Sequence, residues 1–175
     1  MATVYFRTLS PGAAPQDAAH ALLEQVLGVP GSALSYGETG KPGLPGGPEF
    51  SLSHTRGAVV VAVDAEPVGV DVEQLRPVTS GLPRRVLGER EYEWYQKRGA
   101  RVEDFFTLWT LKESYYKALG TGLPGFPNKT AFFMEGGRWE LPGTGLYFTT
   151  WEKKLLRIAL CSHAQQVKFV DLSGS

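Results

Sequence analysis

The chain of 175 residues carries 18 Lys plus Arg against 18 Asp plus Glu and is 42% hydrophobic. That is enough for one domain, or two small lobes sharing a core, with no metal or disulfide staple. Zero net charge excludes a nucleic-acid binder that works by a broad basic field, and equally an acidic disordered chain. The longest apolar run, residues 58–63, is too short to span a bilayer. The N-terminal residues lack the apolar stretch of a secretory leader, and a lone Cys161 fits a reducing cytoplasm.

In chain order, Ala18, Ala19, Leu22, Leu23, Val26 and Leu27 recur at three- and four-residue steps and predict an amphipathic helix that Gly28 ends. Residues 29–48 are so rich in Gly and Pro that a loop is expected there. Phe50 and Leu52, then residues 58–63, read as the strands of a hairpin whose turn covers residues 54–57. Val68, Val70 and Val72 alternate with Gly69, Asp71 and Glu73, the period of a strand with one apolar and one polar face.

Residues 84–99, charged and aromatic, predict one or two short exposed helices broken near Gly88. A longer helix is expected over residues 102–119, where Val102, Phe105, Phe106, Trp109, Tyr116 and Leu119 keep the helical step until Gly120 and Gly122 stop it. Residues 147–152 and 155–161 read as a second hairpin of the same shape as residues 50–63, which hints at two related lobes.

Three places carry candidate chemistry. Asp71 and Glu73, two apart on a strand, project both carboxylates from one face, and a hard cation between them would relieve their repulsion. Taken alone, that pair is ordinarily the solvated face of an amphipathic strand. Glu113 and Lys117, four apart on the long helix, form either a helix-supporting pair worth about 0.2–0.5 kcal/mol or a further carboxylate and a point charge for phosphate. His54 sits at a strand end after the sequence Gly40, Lys41, Pro42, and suits a phosphate contact or a backbone-satisfied turn. Cys161, in an apolar strand pattern, is a poor setting for a reactive thiolate.

The order of these signals carries more than any one of them. GKP, then FSLSHTRGAVVVAV, then GVDVE, then FFTLWTLKESYYKALGTGL resembles the Sfp-type 4'-phosphopantetheinyl transferases, over residues 40–123. The resemblance implies an α+β pseudo-dimeric fold of two lobes, each a small antiparallel sheet packed with helix, divided into residues 1–66 (a shortened first lobe) and 67–175. It implies transfer of the 4'-phosphopantetheine group of coenzyme A to a serine of an apo acyl or peptidyl carrier protein, with Mg²⁺ (or Mn²⁺), in a cytoplasmic monomer that binds neither nucleic acid nor membrane.

By the same resemblance Asp71, Glu73 and Glu113 are metal ligands, and Glu113, Lys117 and His54 are catalytic. Arg7, Gly40, Lys41, Pro42, Ser53, His54, Asp71 and Lys117 would bind coenzyme A, with Ser53 a backbone and packing contact. Gly57 and the basic residues Arg84, Arg85, Arg90, Lys97, Arg98 and Arg101 suit docking of an acidic carrier. Only Arg7 precedes Lys41 among Lys and Arg, so the first lobe brings little positive charge to a polyanion. A catalytically weak coenzyme A-binding relative and a Mg²⁺-dependent phosphohydrolase of coenzyme A are the alternatives.

Overall fold

The computed structural model describes residues 1–37, 40–125 and 127–174, so Glu38 and Thr39 of the Gly- and Pro-rich loop and Ser175 at the end of the second expected lobe lie outside the described residues. In chain order the elements are β1 (Ala2–Thr8), α1 (Pro15–Leu27), β2 (Ser35–Tyr36), β3 (Pro42–Gly43), β4 (Glu49–Thr55), β5 (Ala58–Asp64) and β6 (Gly69–Gln74). They continue as α2 (Leu82–Val86), α3 (Glu89–Lys97), α4 (Val102–Leu119), β7 (Phe133–Glu135), β8 (Arg138–Glu140), β9 (Tyr147–Lys153), β10 (Leu156–Ser162) and β11 (Val167–Asp171). No helix among the described residues is long and apolar enough to cross a membrane.

Two sheets form an α+β arrangement. The first has the order β11-β1-β5-β4 and the second β6-β10-β9-β8-β7. Ala2, Val4 and Phe6 of β1 with Ala58, Val60 and Ala62 of β5 bury against Val70 and Val72 of β6 and Ile158 and Leu160 of β10, so the sheets pack face to face. Because side chains alternate along a strand, the other faces remain to be covered. Leu22 and Leu23 of α1 cover Phe50, Val59 and Val61, while Leu108 and Leu111 of α4 share a core with Ala159 and Cys161. The layers therefore run α1, first sheet, second sheet, α4.

Local signals set most boundaries. Gly28 and Gly120, both left-handed, close α1 and α4 where glycine was read as a stop. The turn of the first hairpin is Arg56 and Gly57 alone, so His54 and Thr55 belong to β4 rather than to the turn. Strands β1, β7, β8 and β11, and the two-residue β2 and β3 inside the stretch expected to be loop, lie outside the strands that the sequence pattern predicts. Of these β1 shows a signal, since Val4 and Phe6 alternate with half-buried Thr3, Tyr5 and Arg7. β11 pairs in parallel with β1, so the first sheet takes strands from both ends of the chain.

The second sheet joins the first through side chains instead of a backbone ladder. Ser51, Ser53 and Thr55 of β4 accept the N–H groups of Val70, Val72 and Gln74 through their hydroxyl oxygens, at 3.1, 3.3 and 3.3 Å. These otherwise edge-facing β6 amides are thus satisfied at the sheet junction. On the other face of β6, α4 approaches so closely that a Cβ on Gly69 would collide with the Ser114 carbonyl oxygen and the Ala118 amide nitrogen. Gly69→Ala should push α4 off the sheet and cost about 1–3 kcal/mol. A thermal unfolding midpoint unchanged from wild type would refute this close-approach role.

Candidate functional site

The alternation of β6 sends Val70 and Val72 into the core between the sheets and turns Asp71 and Glu73 to the α4 side. That side is not the solvated face the sequence pattern allows: Asp71 is 5% exposed. Its Oδ1 accepts a hydrogen bond from Ser53 Oγ at 2.8 Å and from Lys117 Nζ at 2.7 Å. Its Oδ2 is buried with no hydrogen-bond partner. Lys117 is thus paired across 46 positions of sequence with a strand carboxylate, beyond the helical i,i+4 neighbour that spacing suggests.

Glu73 is held from two directions. Trp109 Nε1 of α4 donates to Oε1 at 3.2 Å, and Arg76 Nη1 donates to Oε2 at 2.6 Å while its guanidinium lies 4.8 Å from the Phe106 ring. The sequence signals neither contact: Trp109 falls within the helical step of residues 102–119, and no spacing pattern points to Arg76. Glu113, half-buried one turn before Lys117, completes the group. Burial pushes its carboxyl up to about 7, the charge of Asp71 adds to the rise, Lys117 opposes it and Glu73 adds again. A carboxyl with that value is poised to take a proton near neutral pH.

Three carboxylates are an oxygen-only donor set of the kind hard cations such as Mg²⁺ take, and the orphaned Asp71 Oδ2 is an acceptor left over by the protein's own bonds. The residues therefore fit a divalent cation by chemistry. As arranged, Lys117 holds Asp71 while Arg76 and Trp109 hold Glu73, and no group of three or more His, Cys, Asp or Glu side chains among the described residues is set to hold a metal ion.

Beside the carboxylates lies a pocket of about 240 Å³ lined by Gly40, Lys41 and Pro42, by Phe50 and Ser51 of β4, and by Tyr116 and Lys117 of α4. Gly120 and Gly122 close its rim, and the Lys41 side chain lies against Gly120. Sites that enclose a whole ligand run to roughly 300–1,000 Å³, so this one suits one end of a longer molecule. Lys117 belongs both to this pocket and to the carboxylate group.

Arg7 and His54 stand apart from that group. Both pair in register with Val59, from β1 and β4 respectively, so they flank it on the face of the first sheet that α1 covers. His54 is exposed, and Arg7 Nη2 donates to Gln25 Oε1 of α1 at 2.9 Å. The structure brings Asp71, Glu73, Glu113 and Lys117 together with Ser53, and Gly40, Lys41 and Pro42 beside Lys117. It sets Arg7 and His54 on the opposite face of the first sheet from Ser53, whose hydroxyl reaches Asp71.

Two other sequence readings meet their surroundings. Cys161 is fully buried and its thiol is pushed up to about 12 by burial, the condition of an inert thiol. Of the basic residues between α2 and the start of α4, Arg98 and Arg101 both pair with Asp104, at 3.1 and 3.0 Å, and Arg84 stacks 4.1 Å from the Tyr92 ring.

A family model for the 4'-phosphopantetheinyl transferase superfamily matches residues 67–165. The chain is 37% identical over 105 residues to 4'-phosphopantetheinyl transferase gsp of Aneurinibacillus migulanus, covering 58% of this chain and 44% of that protein. It is 33% identical over 94 residues to 4'-phosphopantetheinyl transferase Sfp of Bacillus subtilis strain 168, covering 51% of this chain and 42% of that one. The chain thus spans less than half the length of these relatives. The crystal structure of Thermotoga maritima holo-acyl-carrier-protein synthase matches with a TM-score of 0.47 and 27% identity, covering 54% of this chain and 61% of that one.

Proposed function

The chain belongs to the 4'-phosphopantetheinyl transferase superfamily, and on that premise we propose that it moves the 4'-phosphopantetheine group of coenzyme A onto a serine hydroxyl of an apo acyl or peptidyl carrier protein. The observation that carries this reading is Lys117, one cation that pairs with Asp71, acts on the Glu113 carboxyl and lines the pocket formed by Gly40, Lys41 and Pro42. A pyrophosphate flanked by a nucleotide on one side and a pantetheine arm on the other needs that neighbourhood of charge and pocket.

Glu113, with its carboxyl near 7, takes the proton of the incoming serine, directly or through one water. The serine oxygen forms a bond to the β-phosphorus as the bond from that phosphorus to the bridging oxygen breaks, and 3',5'-adenosine diphosphate leaves. Lys117 holds the pyrophosphate as a point charge and stabilises the charge developing on the leaving oxygen. Asp71, Glu73 and Glu113 would hold Mg²⁺, or Mn²⁺, which when bound supplies charge neutralisation at the pyrophosphate. Gly40, Lys41 and Pro42 hold the adenine end. Arg7 and His54, on either side of Val59, form the basic pair for the remaining phosphate of coenzyme A.

Residues 1–66, with β11 returned to their sheet, and the remainder of residues 67–175 act in this reading as two lobes of one monomeric cytoplasmic transferase, with coenzyme A between them. Arg85, Arg90 and Lys97, with Gly57, offer the acidic carrier a docking face, while Arg98 and Arg101 are taken up by Asp104.

The test is incubation with coenzyme A, Mg²⁺ and a panel of apo carriers. The expected result is a mass gain of one phosphopantetheinyl group on one carrier serine. Nucleotide release with no mass gain on any carrier would replace this reading with a phosphohydrolase. Binding of coenzyme A with no reaction would replace it with a catalytically weak binder.

A further inference from the structure

Three hydroxyls of β4 fasten the two sheets together, but among the described residues only one of them reaches a carboxylate. Ser51, Ser53 and Thr55 each accept one β6 amide, at Val70, Val72 and Gln74. Ser53, buried at 7% exposure, also donates its proton to Asp71 Oδ1 at 2.8 Å. Its hydroxyl is thereby used in both directions, with the oxygen fixed by Val72 N–H and the hydrogen aimed at Asp71.

The consequence falls on Asp71. Ser53 and Lys117 both take Oδ1, which settles the rotation of the carboxylate and leaves Oδ2 buried and unpartnered. An orphaned, buried carboxylate oxygen costs free energy unless something positively charged completes it. Lys117 cannot fix the carboxylate alone, since a flexible four-carbon stem carries its charge and the same ammonium lines the pocket. A hydroxyl pinned to a strand amide moves far less.

We propose that Ser53 is a positioning residue: through its bond to Asp71 Oδ1 it presents Asp71 Oδ2 to the divalent cation, and it acts on the reaction through Asp71 rather than by touching coenzyme A. This rests on the transfer reading above for its role in turnover, though not for the cation binding itself. A partner that orients a metal ligand in this way is worth about 10- to 100-fold in metal affinity. Thr55 supplies the control, because its hydroxyl makes the same kind of bond to Gln74 N–H at 3.3 Å and has no such bond to Asp71.

The experiment measures Mn²⁺ binding to the full chain by electron paramagnetic resonance, alongside thermal unfolding and the kcat and KM of transfer. Ser53→Ala is expected to weaken Mn²⁺ binding about 10- to 100-fold and to lower kcat at fixed metal, with the KM for coenzyme A little changed. Thr55→Val is expected to shift unfolding by a similar amount to Ser53→Ala while leaving Mn²⁺ binding as in wild type. Should Ser53→Ala not fold, Ser53→Cys, close in size and a weaker donor, is read the same way. Unchanged Mn²⁺ binding in the Ser53 variant, an equal loss in Thr55→Val, or a raised KM for coenzyme A with Mn²⁺ binding intact would each overturn the proposal. So would wild-type protein that binds no Mn²⁺. Wild type whose Mn²⁺ binding depends on Ser53 but that modifies no carrier would uphold the positioning role and remove the transfer reading.

Discussion

In the transfer reaction proposed above, Glu113→Gln should lower kcat about 10²- to 10⁴-fold, with the fold intact. The amide keeps the shape of the side chain and loses the ability to accept a proton. The same substitution has a second, opposite effect on stability. In the folded protein the Glu113 carboxyl is raised from an ordinary 4.5 to about 7, chiefly by burial. Between those values the folded chain binds more protons at this site than the unfolded chain. Stability from this group is therefore complete below about pH 4.5 and is lost as pH rises through about 7.

In metal-free protein at pH 8, Glu113→Gln should thus be the more stable, by up to about 3 kcal/mol. Added Mg²⁺ should reverse the order, since a cation that binds only the folded wild-type site raises its stability by mass action. The measurements are carrier modification by intact mass and unfolding midpoints at pH 5 and pH 8, each with and without Mg²⁺. A variant that still turns over near the wild-type rate would end the role given to Glu113.

Lys112→Met will destabilise the protein by about 3–5 kcal/mol. Lys112 adjoins Glu113 in sequence, yet it points into the core: it is fully buried and pairs with Glu91 of α3 at 2.8 Å. It also donates to the backbone carbonyls of Pro127 and Thr130. Glu91 in turn accepts the N–H groups of Gly88 at 2.7 Å and Phe132 at 2.8 Å, closing a network between α3, α4 and the segment after α4. Burial raises the Glu91 carboxyl and lowers the Lys112 ammonium, each opposed by the charge of the other.

Without the lysine, Glu91 is left buried with its charge uncompensated, and two carbonyls lose a donor. Glu91→Gln in the Lys112→Met background should recover part of the loss, because the side chain becomes neutral and still accepts one of the two amides. The measurement is a double-mutant cycle by denaturant unfolding. Additive losses with no coupling, or a Lys112→Met protein as stable as wild type, would show that the pair does not hold α3 to α4.

This pair shows where sequence reading stopped. In the sequence Lys112 stands directly before Glu113, and spacing singles out only Glu113 and Lys117. One residue apart on a helix is a turn of about 100°, so neighbours in the sequence serve different surfaces. Lys112 enters the core toward Glu91, while Glu113 and Lys117 look toward β6. The glycine of GVDVE is likewise explained by packing, since the backbone of α4 occupies the space a side chain at Gly69 would need.

Ser51, Ser53 and Thr55 alternate along β4, so their side chains share one face of the strand. Here they face another strand and serve its amides. Arg76 carried no pattern at all; its contact with Glu73 exists because the chain turns back after β6 and lays the guanidinium over Phe106.

The helix of residues 102–119 and its glycine stop, the strand that carries Asp71 and Glu73, both long hairpins and the family resemblance are legible in the amino-acid sequence. These are written in contacts between near neighbours, which periodicity and turn chemistry report directly. Long-range packing alone settles that Lys117 takes Asp71, that Ser53 shares it, that Arg7 comes beside Val59, and that β11 returns to β1. Each of those depends on pairing elements 18 to 165 residues apart, where closure of the chain and the shape of the packed faces choose the partner and local pattern is silent. The neutral charge of the chain stands with the first group, and the buried placement of its working charges with the second.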